Sequence, residues 1–183
     1  PNLTGRLPVH REVSWIMDLS RRRFFANRTR VAPFRPPWSM PETVFVDACT
    51  RCDDCVSACP TGLLKRGDGG YPEAHFASAA CTFCGECSDA CATSAISREL
   101  AAAPWSFSIH IADGCLAHQR VECRVCGERC EAGAIRFRPA LGGISRPEVD
   151  HSACTGCGAC LAPCPVGAIA RVARSSPSST ELS

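Results

Sequence analysis

The spacing of the cysteines constrains this chain more than any other feature. Cys49, Cys52, Cys55 and Cys59 stand in a C-x2-C-x2-C-x3-C run followed by Pro60. Cys81, Cys84, Cys87 and Cys91 repeat it, and Cys154, Cys157, Cys160 and Cys164 repeat it again with Pro165 behind. Cys115, Cys123, Cys126 and Cys130 differ only in a first gap of seven residues. These four sets use all 16 cysteines of the 183 residues. An even number of cysteines is also what a small disulfide scaffold would carry. Identical short gaps repeated along a chain point instead to thiolate ligation of a metal centre.

The run is the one by which bacterial ferredoxins hold [4Fe–4S] clusters. Three thiolates two residues apart on a tight loop can curl around one face of a cube of iron and sulfide, and the fourth iron corner needs a cysteine from elsewhere. In two-cluster ferredoxins the fourth cysteine of a run serves the neighbouring cube. It lies past the loop, where a helix is expected to start, and Pro60 and Pro165 suit a first helical turn, in which a missing N–H is harmless. Gly85, Gly156 and Gly158 allow backbone N–H groups to approach the sulfurs. Zinc is the competing metal, because paired C-x2-C units also make four-thiolate sites. Successive two-residue gaps closed by a three-residue gap suit a cube better than a single tetrahedral ion.

A second repeat rides on the first. Each fourth cysteine is followed by what reads as a short helical turn leading to an aliphatic residue: Pro60-Thr61-Gly62-Leu63-Leu64, Ala92-Thr93-Ser94-Ala95-Ile96, Glu131-Ala132-Gly133-Ala134-Ile135 and Pro165-Val166-Gly167-Ala168-Ile169. Turn-rich segments at 66–72 and 141–147 separate runs one from two and three from four, with strand-like flanks such as Ile135-Arg136-Phe137-Arg138. The chain therefore reads as a small α+β protein: tandem bacterial 2[4Fe–4S] ferredoxin-like units with short helices and β-hairpins around the clusters. The expected divisions are a basic arm and Pro-rich connector 1–42, a first dicluster unit 43–99, a connector 100–109, a second dicluster unit 110–173 and a disordered tail 174–183.

Pairing within each unit gives four candidate centres, each a [4Fe–4S] cluster. Centre 1 takes Cys49, Cys52, Cys55 and Cys91; centre 2 takes Cys81, Cys84, Cys87 and Cys59. Centre 3 takes Cys115, Cys123, Cys126 and Cys164; centre 4 takes Cys154, Cys157, Cys160 and Cys130. Centre 3 is the irregular one, since its seven-residue gap closes less rigidly. With a thiolate for every corner, no iron keeps an open position and no catalytic constellation stands elsewhere, so an electron carrier or helper is expected and not an enzyme. His10, His75, His110, His118 and His151 are expected in surface or packing roles, and Trp38 and Trp105 in packing beside prolines. Folding should depend on cluster insertion, because cores this small bury little apolar surface alone.

The formal net charge is +2, but four oxidised cubes with their thiolates would shift it to about −6. Residues 1–40 oppose this trend, with eight arginines against Glu12 and Asp18. Within them Val13, Ile16, Met17 and Phe24 sit at helical spacing. Ser20-Arg21-Arg22-Arg23-Phe24-Phe25 resembles a twin-arginine export signal, but the residues behind it do not make the apolar stretch that export needs, so a cytoplasmic protein is expected. Arg21, Arg22 and Arg23 are candidate contacts to a partner. Nucleic-acid binding is disfavoured because no aromatic platform accompanies the arginines, and no 18-residue apolar stretch exists to span a bilayer.

Several stretches together carry a closer resemblance: Arg35-Pro36-Pro37-Trp38-Ser39, Cys49-Thr50-Arg51-Cys52, Arg66-Gly67-Asp68-Gly69-Gly70-Tyr71-Pro72, the seven-residue gap from Cys115 to Cys123, and Ile135-Arg136-Phe137-Arg138-Pro139. Over about 20–172 the chain resembles the NapF family of ferredoxin-type proteins, from periplasmic nitrate reductase operons. The gap is similar to that family's pattern, which supports Cys115 as a ligand. The resemblance implies a cytoplasmic helper that contacts the unexported precursor of the molybdenum-containing catalytic subunit and assists its iron–sulfur cluster assembly, or keeps it reduced. The alternative is a general ferredoxin linking a reductant, through other redox proteins, to a membrane or periplasmic redox chain.

Overall fold

Stretches of about 20 residues between cysteine runs leave room only for short elements. In the computed structural model, which describes residues 33–101, 103–140 and 142–173, they are few and small. The first half holds α1 (Glu42–Ala48), α2 (Asp54–Ser57), β1 (Leu64–Arg66), a 3-10 turn at Asp68–Gly70, β2 (Pro72–Ala74) and α3 (Glu86–Asp89). The second holds β3 (Phe107–Ile111), α4 (Val125–Glu128), β4 (Ile135–Pro139), β5 (Ser145–Val149) and β6 (Ile169–Ala173). The arm 1–32, with Arg21, Arg22 and Arg23, and the tail 174–183 lie outside the described residues, as does the helical pattern within the arm.

Both expected hairpins are present. Strands β1 and β2 pair antiparallel from Leu64 opposite Ala74 to Arg66 opposite Pro72, around a turn in which the Gly67 N–H donates to the Tyr71 carbonyl at 2.8 Å. Strands β4 and β5 pair from Ile135 opposite Val149 to Pro139 opposite Ser145. A third pairing, β3 with β6, joins the segment before run three to the segment after run four, Phe107 opposite Ala173 and Ile111 opposite Ile169. The first half closes in the same way with less regular structure. Ser39 bridges Ile96, and N–H groups of Met40 and Ser97 donate to the carbonyls of Ala95 and Trp38, both at 3.0 Å.

The helices lie elsewhere than expected. Elements α2, α3 and α4 contain the third cysteine of their runs, Cys55, Cys87 and Cys126, and precede the fourth. Behind each fourth cysteine stands a single turn, closed by an N–H from Gly62, Ser94, Gly133 or Gly167 to the carbonyl of Cys59, Cys91, Cys130 or Cys164. Those four residues have φ of +64°, +56°, +61° and +59°, and a left-handed residue ends a turn instead of propagating a right-handed helix. Pro60 and Pro165 thus preset φ in a turn and not in a helix.

The segments read as connectors are packed. Pro36 and Trp38 are buried, and Phe34 meets Phe107 at 4.8 Å and Phe76 at 5.5 Å in edge-to-face arrangements. Trp105 meets Phe76 edge-on at 5.4 Å and donates its indole N–H to the Arg35 carbonyl at 3.1 Å. The Arg35 guanidinium holds both oxygens of Glu42 on α1, at 3.0 and 2.7 Å, and lies 5.0 Å over the Phe45 ring and 5.2 Å over Tyr71. Two apolar clusters result, one around Phe45, Leu63 and Ile96, the other around Ile109, Ile111 and Ile135. Leu161 packs against both. Fully burying Phe45, Leu63 and Ile109 contributes about 1.5–3 kcal/mol each, a small sum for a chain of this length.

Candidate metal centres

The two-residue gaps place the first three cysteines of a run on one loop, and local backbone chirality bends that loop inward. Arg51, Asp53, Phe83, Gly85, Gly156 and Gly158, which flank the second cysteine of runs one, two and four, all have positive φ. Alternating hand turns successive N–H groups to the same side, which makes a concavity suited to an anion such as a sulfide cluster. In run three Glu122 and Arg124 do not share this geometry; Arg124 has φ −127°, and the left-handed residue is Arg120, inside the long gap.

The loops close three cavities, each ringed by four thiols. Cys49, Cys52, Cys55 and Cys91 line one of about 410 Å³, mouth included, walled by Phe45, Pro72 and Ile96. Cys59, Cys81, Cys84 and Cys87 line a second of about 320 Å³ beside Trp38 and Leu63. Cys115, Cys123, Cys126 and Cys164 line a third of about 350 Å³ beside Ile111, Leu116 and Val125. The remaining four are brought together as well: the buried Cys160 thiol feels Cys157, Cys154 and Cys130. All sixteen cysteines are free thiols, with no disulfide among them. Among the described residues no three His, Cys, Asp or Glu side chains converge tightly enough to grip a single ion; three of the sets surround a space instead. No histidine lines the three cavities, and the His151 ring pairs with the buried Ser108 hydroxyl at 2.9 Å.

Backbone donors reach the sulfurs. Cys91, Cys130 and Cys164 accept N–H groups from Ile96, Ala134 and Ala168 at 3.3–3.4 Å, and Cys81 accepts from Phe83 at 3.4 Å. The hydroxyls of Thr61 and Thr93 stand 3.6 and 3.8 Å from Cys59 and Cys91. Cysteine spacing does not predict these two threonine contacts, although the shared Cys-x-Thr of the first two runs is the signal for them.

Burial pushes the Cys55, Cys87 and Cys160 thiols up to about 12, and Cys81 and Cys126 up to about 11, with neighbouring thiols adding to the shift. Burial acts on Cys59 too, but N–H groups of Leu64, Leu63 and Thr61 and the Thr61 hydroxyl outweigh it and hold that thiol below the ordinary value. Several thiolates cannot share an apolar pocket without a compensating polycation. Iron supplies that charge, and its binding displaces the thiol protons. Thiol number, pocket size and inward N–H groups all fit a [4Fe–4S] cluster.

Residues 33–96 match the family described as a 4Fe-4S dicluster domain, and residues 119–168 match a second family of the same description. The "Ferredoxin-type protein NapF" of Escherichia coli K12 is 48% identical over 155 residues, which is 84% of this chain and 94% of that protein. The chain belongs to the NapF family of ferredoxin-type proteins. The NapF of Haemophilus influenzae Rd is 51% identical over 135 residues, 74% of this chain and 76% of its own length. A more distant relative, a component of the ion-translocating oxidoreductase complex of Methanosarcina acetivorans, is 38% identical over 133 residues, 66% of this chain and 46% of that protein. With two dicluster domains and 16 cysteines, this NapF-family chain carries four [4Fe–4S] clusters. The second domain match begins at residue 119, past Cys115, the cysteine that the long gap sets apart.

Proposed function

We propose that this chain is a cytoplasmic polyferredoxin that acts on the precursor of the catalytic subunit of periplasmic nitrate reductase, assisting its iron–sulfur cluster assembly or keeping it reduced before export. The observation that carries this reading is the 48% identity along nearly the full length of the Escherichia coli NapF. The ligands are those of the crosswise assignment, centres 1 to 4; the cavities lined by Cys49 with Cys91, Cys81 with Cys59 and Cys115 with Cys164 support it. Bound clusters supply one-electron chemistry. The chain's own residues exclude water from them, neutralise their sulfurs with N–H groups and so set their potentials. Arg21, Arg22 and Arg23 are the proposed docking contacts to the precursor.

The test is recovery of the partner from cytosol. Tagged protein is expected to co-purify the precursor, and deletion of this chain is expected to leave that precursor short of iron. Recovery of mature redox enzymes alone, with the precursor's cluster intact after deletion, overturns the helper role. That outcome supports the second reading, a general electron carrier, which the similarity to a protein named for an oxidoreductase complex favours.

A further inference from the structure

The contacts among the ligand loops do not follow the order of the four runs along the chain. In the first half α2 and α3 pack together and carry Cys55 of centre 1 and Cys87 of centre 2, which lie in one buried cluster. In the second half Cys126 of centre 3 shares one buried cluster with Cys154 and Cys160 of centre 4. The ligand loops of the two halves meet at Cys81 and Cys157. The Cys81 N–H donates to the Cys157 carbonyl at 2.9 Å. Beside this bond Gly158 is pressed against Phe76, so closely that a methyl group on it would stand 2.1 Å from the ring.

We propose that the chain is one continuous electron path running centre 1, centre 2, centre 4, centre 3, with the halves joined through Cys81 and Cys157. This rests on the crosswise ligand assignment. One electron given up at a centre is taken up at the next, so oxidation at the first balances reduction at the second; no bond breaks and no proton has to move. Centres 1 and 3 are then the two ends at which an outside donor and acceptor exchange electrons, and the loop of residues 116–122 marks one of them.

The order is read by magnetic coupling in the anaerobic, fully reduced, full-length protein, after iron has been counted. The centres are deleted one at a time with Cys52→Ala, Cys84→Ala, Cys123→Ala and Cys157→Ala. Loss of centre 2 is expected to leave centre 1 as an isolated, unsplit EPR signal beside a coupled pair, and loss of centre 4 to isolate centre 3. Loss of centre 1 or of centre 3 is expected to leave three coupled clusters. Full coupling after Cys84→Ala or Cys157→Ala, or an isolated signal after Cys52→Ala or Cys123→Ala, overturns the order. Gly158→Ala, which keeps every ligand, is expected to retain its iron and lose coupling between the halves; if it loses iron instead, the deletion series decides. The double variant Cys59→Ala/Cys84→Ala separates the two ideas. It loses the iron of one cluster if the ligands are shared crosswise and of two if they are not, so a failed assignment shows in iron and a failed order in coupling.

Discussion

Ser94 occupies the place that Gly62, Gly133 and Gly167 hold in the other three repeats, three residues past the fourth cysteine, and it does so at φ +56°. A left-handed conformation costs an L-residue about 1–2 kcal/mol, while glycine adds about 0.5–1 kcal/mol of unfolded-state entropy. Ser94→Gly is therefore expected to stabilise the loaded protein by roughly 0.5–1 kcal/mol, read as a higher denaturant midpoint with unchanged iron; a lower midpoint contradicts the strain argument. Arg35 is the opposite case, a residue whose chemistry is fully used: it grips Glu42 with two hydrogen bonds and lies over two rings. Arg35→Ala should cost about 1–2 kcal/mol, and Arg35→Lys should not restore it, because an ammonium lacks the planar fork that stacks and bonds at once. Spacing made the grouping of the thiols legible, and three of the expected sets of four line a cavity in the fold; the seven-residue gap left Cys115 the irregular member. The left-handed Arg51, Asp53 and Phe83 were not legible, since arginine and phenylalanine give no sign of positive φ and an aspartate gives only a weak one.

Among the elements, the hairpins were the readable part: Asp68-Gly69-Gly70 and Gly142-Gly143 are turn residues by composition, and strands flank both. The β3–β6 pairing was not readable, because it joins Phe107 to Ala173 across two cysteine runs and no local pattern signals so distant a partner. The helices were misplaced by a few residues, because Pro60 and Pro165 serve turns as well as they serve helix starts. Element α4 shows how closely these small pieces fit. A Cβ on Gly127 would stand 2.7 Å from the Phe137 ring on β4, one residue from the buried Cys126. Gly127→Val is expected to push α4 off β4 at a cost of about 1–3 kcal/mol and to lower iron retention at centre 3 first. Measuring iron release to a chelator checks this: unchanged release kinetics would show that α4 does not hold Cys126 in place.

At the scale of the whole molecule the division into two halves followed from the repeat, but their junction did not. Residues 100–109 read as a connector in which Trp105 packs beside Pro104, but nothing local named its partners; in the fold the Trp105 ring packs among Phe34, Phe76 and Phe107. The charge asymmetry belongs to this scale too. Changing Arg21, Arg22 and Arg23 together to alanine is expected to cut recovery of the nitrate reductase precursor at least roughly tenfold at physiological salt, since several charge pairs at about 0.5 kcal/mol each add up, with cluster content untouched; full recovery would remove the arm from the docking surface. Iron is expected to hold the molecule together, because sixteen thiols displace the aliphatic residues an ordinary core would use. The most direct measurement is therefore the iron and acid-labile sulfide content of anaerobically isolated protein, together with its free-thiol count after the metal is removed. The expected result is about sixteen irons and sixteen sulfides per chain, with every cysteine titrating as a free thiol, without added reductant, once the clusters are gone; a colourless, iron-free chain whose cysteines are linked to one another would contradict it.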